Sequence, residues 1–282
     1  MTFLKKDSPY PHWELFEEDS GDRLRIVPDR GGLITEWRSN GRDIIYFDLE
    51  RFKQKGKSVR GGIPLLFPIC GDLPNDILQL EKGDYILRQH GFARNSAWQL
   101  KTINHQNSFL LSLQDDKTSR DAYPYSFLLE IEVRLEPNAL NFLITIQNLG
   151  EDIMPFSFGL HPYFNVRDLQ TTRIEGLPPM AINHLSMLEA ETELLIEQIP
   201  EGVDFICAPS TPVTLVDLSS DTRLSLQQEG PMDLTVVWTD PPRKMVCLEP
   251  WTSPRKSLIS GERKLCLGAG STQKLKCRFF IE

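Results

Sequence analysis

The stretch SFLLEIEVRLE-PN-ALNFLITIQN, Ser126 to Asn148, decides the fold. From Phe127 the apolar side chains recur at every second position, with Glu130, Glu132 and Arg134 between them. A period of two sends alternate residues to opposite faces of a strand, whereas a helix needs a period of 3.6. Ser126–Glu136 and Ala139–Asn148 therefore read as two long strands joined at Pro137-Asn138. The same period continues outward. It marks Leu24–Pro28, Met154–His161, Val213–Val216, Arg223–Gln227, Leu234–Thr239, Met245–Glu249 and Lys274–Ile281. Leu33–Trp37 and Asp43–Asp48 flank Asn40-Gly41, a hairpin signal because both turn residues tolerate positive φ. Trp98–Asn104 and Ser108–Gln114 form a further hairpin. The best helical candidate, His184–Gln198, has weak apolar spacing, and short helical pieces are expected near Leu73–Gln79 and Asp116–Ala122. Many short strands separated by turn signals predict an all-β protein, a large antiparallel β-sandwich with few short helices. Periodicity alone leaves a barrel as the alternative. No composition shift, repeat or low-complexity segment divides the chain, so residues 1–282 are expected to form a single domain.

Composition narrows the function classes. The 282 residues carry 31 Lys+Arg against 39 Asp+Glu, a net charge of −8, which disfavours a nucleic-acid partner that needs a basic stripe. A few local arginines could still hold a small anion against that average. The five cysteines, Cys70, Cys207, Cys247, Cys266 and Cys277, form no C-x-x-C pair and no disulfide framework, which suits a reducing cytoplasmic setting. The first twenty residues lack an apolar segment of the signal-peptide kind, and no run approaches the length of a membrane span. Metalloprotease, serine-hydrolase and phosphate-loop motifs are absent, and Gly268-Ala269-Gly270 precedes a strand rather than opening a helix. No His/Cys spacing of the zinc-site type appears.

Four segments carry polar residues that a plain sandwich does not need. Arg60 precedes Gly61-Gly62 and an apolar run, where glycines permit close approach of backbone or ligand. Arg88-Gln89-His90-Gly91-Phe92-Ala93-Arg94 crowds two cations, an amide and an imidazole. In Phe156–His161 the apolar Phe156, Phe158 and Leu160 share one face of a strand, and Ser157, Gly159 and His161 the other, where the small residues beside the imidazole leave room for a ligand. Glu249 ends an otherwise apolar strand, a costly place for a carboxylate and one that raises its pKa. Asp204, ahead of Phe205, is a weaker acidic candidate. Each also reads as ordinary structure: a surface arginine beside a turn, a solvated loop, a buried histidine bonded to a carbonyl, a glutamate surfacing at a strand end. Taken together, imidazoles, carboxylates and arginines suit proton transfer on a small polar molecule.

The strings RGGIPLLFP at Arg60, QHGFAR at Gln89, GLHPYF at Gly159 and CLEP at Cys247, in that order, resemble the galactose mutarotase-like (aldose 1-epimerase) family, and most nearly its glucose-6-phosphate 1-epimerase branch. The resemblance implies a supersandwich fold, interconversion of the α and β anomers of an aldose, and no organic cofactor or metal. It implies His161 as general acid and Glu249 as general base. Arg60, Gln89 and Arg94 would bind substrate, Asp204 would bind sugar hydroxyls, and His90 would assist at the ring. Phe92, Tyr163 and Trp251 could pack on the sugar's apolar face. The run from Trp251 to Leu258 matches no pattern for either phosphorylated or free sugars. The paired arginines favour hexose 6-phosphate over a neutral aldose. The competing readings are a non-catalytic carbohydrate-binding protein, which would need no acid–base pair, and a glycoside lyase or hydrolase using Asp204 and Glu249. The pattern says nothing about oligomeric state.

Overall fold

The computed structural model describes residues 1–103, 107–210 and 212–282. Every strand pair among them is antiparallel. Phe127–Glu136 and Ala139–Asn148 pair along their whole length, Phe127 opposite Asn148 and Glu136 opposite Ala139. They sit inside an eight-stranded sheet in the order Thr172–Glu175, Val213–Asp217, Thr222–Gln228, Thr272–Ile281, Ala139–Asn148, Phe127–Glu136, Ser108–Gln114, Gln99–Ile103. A second sheet runs Leu188–Glu191, Met180–Asn183, Asp204–Cys207, Leu234–Trp238, Met245–Trp251, Gly159–Leu160, Leu65–Leu66, with Tyr163–Asn165 also pairing to Met245–Trp251. The N-terminal strands, Thr2–Lys6 through Arg42–Asp43, make a five-stranded meander.

The alternation of the opening stretch explains the packing. Leu129, Ile131 and Val133, with Ile144 and Ile146, are fully buried, and they share one continuous apolar core with Phe158, Leu160, Phe205, Val246 and Leu248 of the second sheet. Each such side chain contributes about 1.5–3 kcal/mol by leaving water. This is a sandwich, not a closed barrel. Among the described residues no helix is long and apolar enough to cross a membrane.

Some expectations need correction. Of His184–Gln198, only Thr192–Glu197 is helical; Leu188–Glu191 is instead a strand paired to Met180–Asn183 across a turn. Leu73–Gln79 yields a single 3₁₀ turn, Pro74–Asp76, before the strand Ile77–Leu80, whereas Lys117–Ala122 is helical as expected and capped by Asp116. The Asn40-Gly41 turn has positive φ at both residues, but its second strand ends at Asp43, and Ile45 and Phe47 make only isolated bridges. The run Met154–His161 breaks at Ser157, because Met154–Phe156 pairs outward with Leu265–Leu267 while Gly159–Leu160 joins the second sheet. Asn104, the expected end of one strand, lies outside the described residues.

Candidate active site

The site forms on the face of the second sheet that points away from the main core. In Met245–Trp251, Val246 and Leu248 enter the core, so Cys247, Glu249 and Trp251 point the other way. In Leu234–Trp238 and Asp204–Cys207 the same alternation buries Val237 and Phe205 and presents Val236, Trp238 and Asp204. Gly159 pairs opposite Trp251 and Tyr163 opposite Cys247. Continuing that register places His161 opposite Glu249, where directly opposed side chains start about 4.5–5.5 Å apart at Cβ. His161 Nε2 lies 3.4 Å from Glu249 Oε1.

Neighbouring groups fix both side chains. The His161 backbone N–H donates to the Pro64 carbonyl at 3.0 Å. Its ring stacks on Tyr163 at 4.8 Å and 10°, with the edges of Trp238 and His90 at 5.6 and 5.7 Å. Glu249 accepts from Trp251 Nε1 at 3.1 Å. Trp251 occupies the space beside Gly159, where a Cβ would stand 2.6 Å from Trp251 Cδ1 and 2.9 Å from Cys70 Sγ. The room left by Gly159 thus serves an indole rather than a ligand. The Gly61-Gly62 pair likewise admits backbone: a Cβ at either would come 2.5 Å from the carbonyl oxygen of Tyr46 or Ile34.

Burial, and then the Asp204 charge, push the Glu249 carboxyl well above its ordinary pKa. Burial, and then Arg94, push His161 down to about 3. These opposite shifts favour the uncharged arrangement of the pair, with a shared proton on Glu249 rather than on His161. Burial first, then His161, Arg94 and Arg255, also hold His90 well below the usual histidine value. His90 Nδ1 sits 3.1 Å from the Gly71 backbone N–H, which can only donate, so the neutral ring carries its proton on Nε2. For Asp204, burial alone would raise the carboxyl. The His184 hydrogen bond at 2.7 Å and Arg255 at 2.6 Å overcome it and keep Asp204 below its ordinary value, ionised.

The cations are unequally satisfied. Arg60 Nε donates to Asp240 at 3.2 Å, a carboxylate shared with Arg243 at 2.8 Å, and the Arg60 guanidinium lies 5.7 Å from the centre of the Trp238 ring. Arg94 donates to the Gln89 carbonyl at 2.9 Å and makes no ion pair among the described residues. Beside the cleft a second hollow of about 1350 Å³ shares Arg94, His161 and Tyr163 and is bordered by three cations, Arg30, Lys57 and Arg88, and one carboxylate, Asp29. None of these three cations pairs with a carboxylate among the described residues.

The structure brings all seven sequence-predicted residues to one cleft of about 520 Å³. His161 and Glu249 meet on its floor, and Arg60, Gln89, His90, Arg94 and Asp204 line it. Tyr163 and Trp251 line it as well. Phe92 does not; its ring packs on Phe67 and Phe127. Sequence reasoning missed Trp238, Arg255 and, behind Asp204, His184. Trp238 was findable from strand alternation with Val236. Arg255 lay in the unassigned run after Trp251, and His184 was placed in an expected helix.

Residues 18–270 match the family model described as aldose 1-epimerase. A Cenchrus ciliaris protein, provisionally named a glucose-6-phosphate 1-epimerase, is 29% identical over 245 residues, covering 81% of this chain and 67% of that one. The crystal structure of the Slr1438 protein from Synechocystis sp. PCC 6803 superposes with a TM-score of 0.92 at 31% identity, over 100% of this chain and 98% of that one. A galactose mutarotase-like protein from Clostridium acetobutylicum shares the fold at a TM-score of 0.81 and 19% identity, over 100% and 98% of the two chains. With most of its length matched and its sandwich shared, the chain belongs to the aldose 1-epimerase family and is an isomerase acting on sugars.

Proposed function

We propose that the chain interconverts the α and β anomers of a hexose 6-phosphate such as glucose 6-phosphate, with Glu249 as general base and His161 as general acid. The observation that carries this reading is the buried pair itself, two titratable groups 3.4 Å apart whose pKa values are pushed in opposite directions. Glu249 removes the proton from the C1 hydroxyl while His161 delivers one to the ring oxygen. The C1–O5 bond breaks, C1 becomes the aldehyde carbon, and rotation about C1–C2 presents its other face. Ring closure then runs with the roles reversed, Glu249 returning its proton to O1 and His161 taking the one on O5. The open-chain stage has Glu249 protonated and His161 neutral, the distribution that burial favours. Starting from the cyclic sugar requires that proton to pass from Glu249 to His161. Positioned acid and base groups supply about 10²–10⁴-fold.

Asp204, held ionised, accepts from sugar hydroxyls; His90, through Nε2–H, and Gln89 donate or accept at the ring. Support for a phosphorylated substrate is electrostatic. Arg94 has no carboxylate partner, Asp240 is shared by two arginines, and Arg30, Lys57 and Arg88 border the adjoining hollow. A guanidinium fork with unspent charge matches a phosphate better than a hydroxyl. The apolar core running from Leu15 to Phe279 supports residues 1–282 acting as one unit. Anomer exchange followed by NMR on glucose 6-phosphate and on galactose tests the proposal. Faster exchange of the phosphorylated sugar is expected; preference for galactose overturns the substrate assignment, and no acceleration of either overturns the catalytic one.

A further inference from the structure

Next to the side chains of His161 and Glu249 lies a thiol that the proposed reaction does not use. Cys247 lies two residues before Glu249 on the same face of the strand Met245–Trp251, and it is fully buried. Its Sγ lies 4.0 Å from the Met245 sulfur, a weak contact that leaves the thiol uncommitted. One ring nitrogen of His161, Sγ of Cys247 and one carboxylate oxygen of Glu249 all lie within 4.8 Å of one another. We infer that these three side chains form a site for a thiophilic divalent cation, Zn²⁺ in the first place, and that its occupation blocks the epimerase. The block rests on the acid–base assignment proposed above; the binding does not.

The donor chemistry selects the ion. Imidazole, thiolate and carboxylate are zinc ligands, at about 2.0–2.1, 2.3 and 2.0–2.2 Å respectively. A thiolate also disfavours Mg²⁺ and Ca²⁺, which take oxygen ligands. Three atoms within 4.8 Å of one another can close on a common ion by small side-chain rotations. Three protein ligands leave a fourth tetrahedral position for water. The surroundings already orient the ligands. Trp251 Nε1 holds Glu249 Oε2, leaving Oε1 towards His161, and Tyr163 fixes the imidazole plane by stacking. Binding is a balanced exchange. One dication enters; the thiol proton and the proton shared by His161 and Glu249 leave. With both groups bound to the ion, neither can move a proton at C1 or O5.

Cobalt reads the site without turnover. Metal-free protein titrated with Co²⁺ should show a thiolate-to-cobalt charge-transfer band saturating at one equivalent. Cys266→Ser, which removes the exposed thiol, should keep that band, and Cys247→Ser should lose it. Zn²⁺ should inhibit anomer exchange reversibly, with chelator restoring it and Mg²⁺ having no effect. Cys247→Ala should retain metal-free turnover while its inhibition constant for Zn²⁺ rises at least tenfold, since even outer-shell partners are worth about 10–100-fold. Absence of the band in wild-type protein, or its persistence in folded Cys247→Ser, overturns the site. A band without inhibition overturns the block alone. If Cys247→Ser fails to fold, His161→Gln must lose the band, and its retention there overturns the site equally.

Discussion

Gly159→Ala isolates how the sheet holds the proposed base. The backbone of Gly159 is not in the left-handed region, so alanine adds one methyl group without conformational strain. That methyl would stand 2.6 Å from Trp251 Cδ1, 2.9 Å from Cys70 Sγ and 3.1 Å from Trp251 Nε1. Trp251 is fully buried and cannot swing into solvent, so it must shift within the core or tilt. Overpacking of this kind costs about 1–3 kcal/mol, which lowers Tm by about 2–4 °C per kcal/mol. The tilt also breaks the Nε1 hydrogen bond to Glu249. A hydrogen bond to a charged group is worth about 1.5–3 kcal/mol. If that loss falls on the transition state, kcat drops roughly 10- to 150-fold with little change in KM. Exchange NMR on glucose 6-phosphate measures kcat, and thermal denaturation measures the packing cost. Trp251→Phe should lose a similar factor in kcat, because it removes the same donor. Adding Gly159→Ala to Trp251→Phe should then cost little further rate. A Gly159→Ala protein with wild-type kcat, or one whose rate loss is fully additive with that of Trp251→Phe, would refute the claim that the indole orients Glu249.

Glu249→Gln should lose most of the rate yet still bind sugar; near-normal turnover would remove Glu249 from the mechanism. Arg94→Gln should raise KM for glucose 6-phosphate by at least tenfold while changing KM for galactose far less, and equal effects on both would place Arg94 away from the phosphate. Because Glu249 is raised and His161 lowered, kcat/KM for a neutral aldose should stay flat on the acid side until pH nears about 3, and be lost as pH rises through the elevated Glu249 value. A kcat/KM that instead falls as pH drops through about 6.5, where an unperturbed imidazole titrates, would contradict that assignment. Asp204→Asn removes the carboxylate that binds both His184 and Arg255, and should raise KM for phosphorylated and free sugars alike.

The sandwich was legible wherever the two faces of a strand meet different environments. Phe127–Glu136 has the core on one side and solvent on the other, and its sequence alternates accordingly. Leu188–Glu191 lies at a sheet edge, exposed over most of its length, and its Leu-Glu-Ala-Glu composition favours a helix; pairing with Met180–Asn183 overrides that preference. Six of the seven expected site residues were visible because short strings carry them and resemble a known family; Asp204 stands outside those strings and reads only as an acid ahead of a strand. Arg255, His184 and Trp238 belong to no such string. Trp238 and Arg255 line the cleft and His184 bonds Asp204 from behind it. Sheet order, which sets Asp204–Cys207 between Met180–Asn183 and Leu234–Trp238, is a non-local arrangement that no local pattern encodes. Gly159 was noticed for the right reason, missing bulk, and assigned the wrong occupant.

The strand Met245–Trp251 writes two messages in one line of text, read at alternate letters. Val246 and Leu248 hold the sheets together, while Glu249 and Trp251 furnish the cleft. Substitutions can therefore edit one message without garbling the other, so substrate preference can drift while the fold stays put. A single-residue insertion or deletion has no such freedom. It would shift the reading frame of the faces, driving Glu249 into the apolar interior and turning Leu248 toward the sugar. Variation within this strand should accordingly come as replacements, with changes in length confined to the loops beyond its ends.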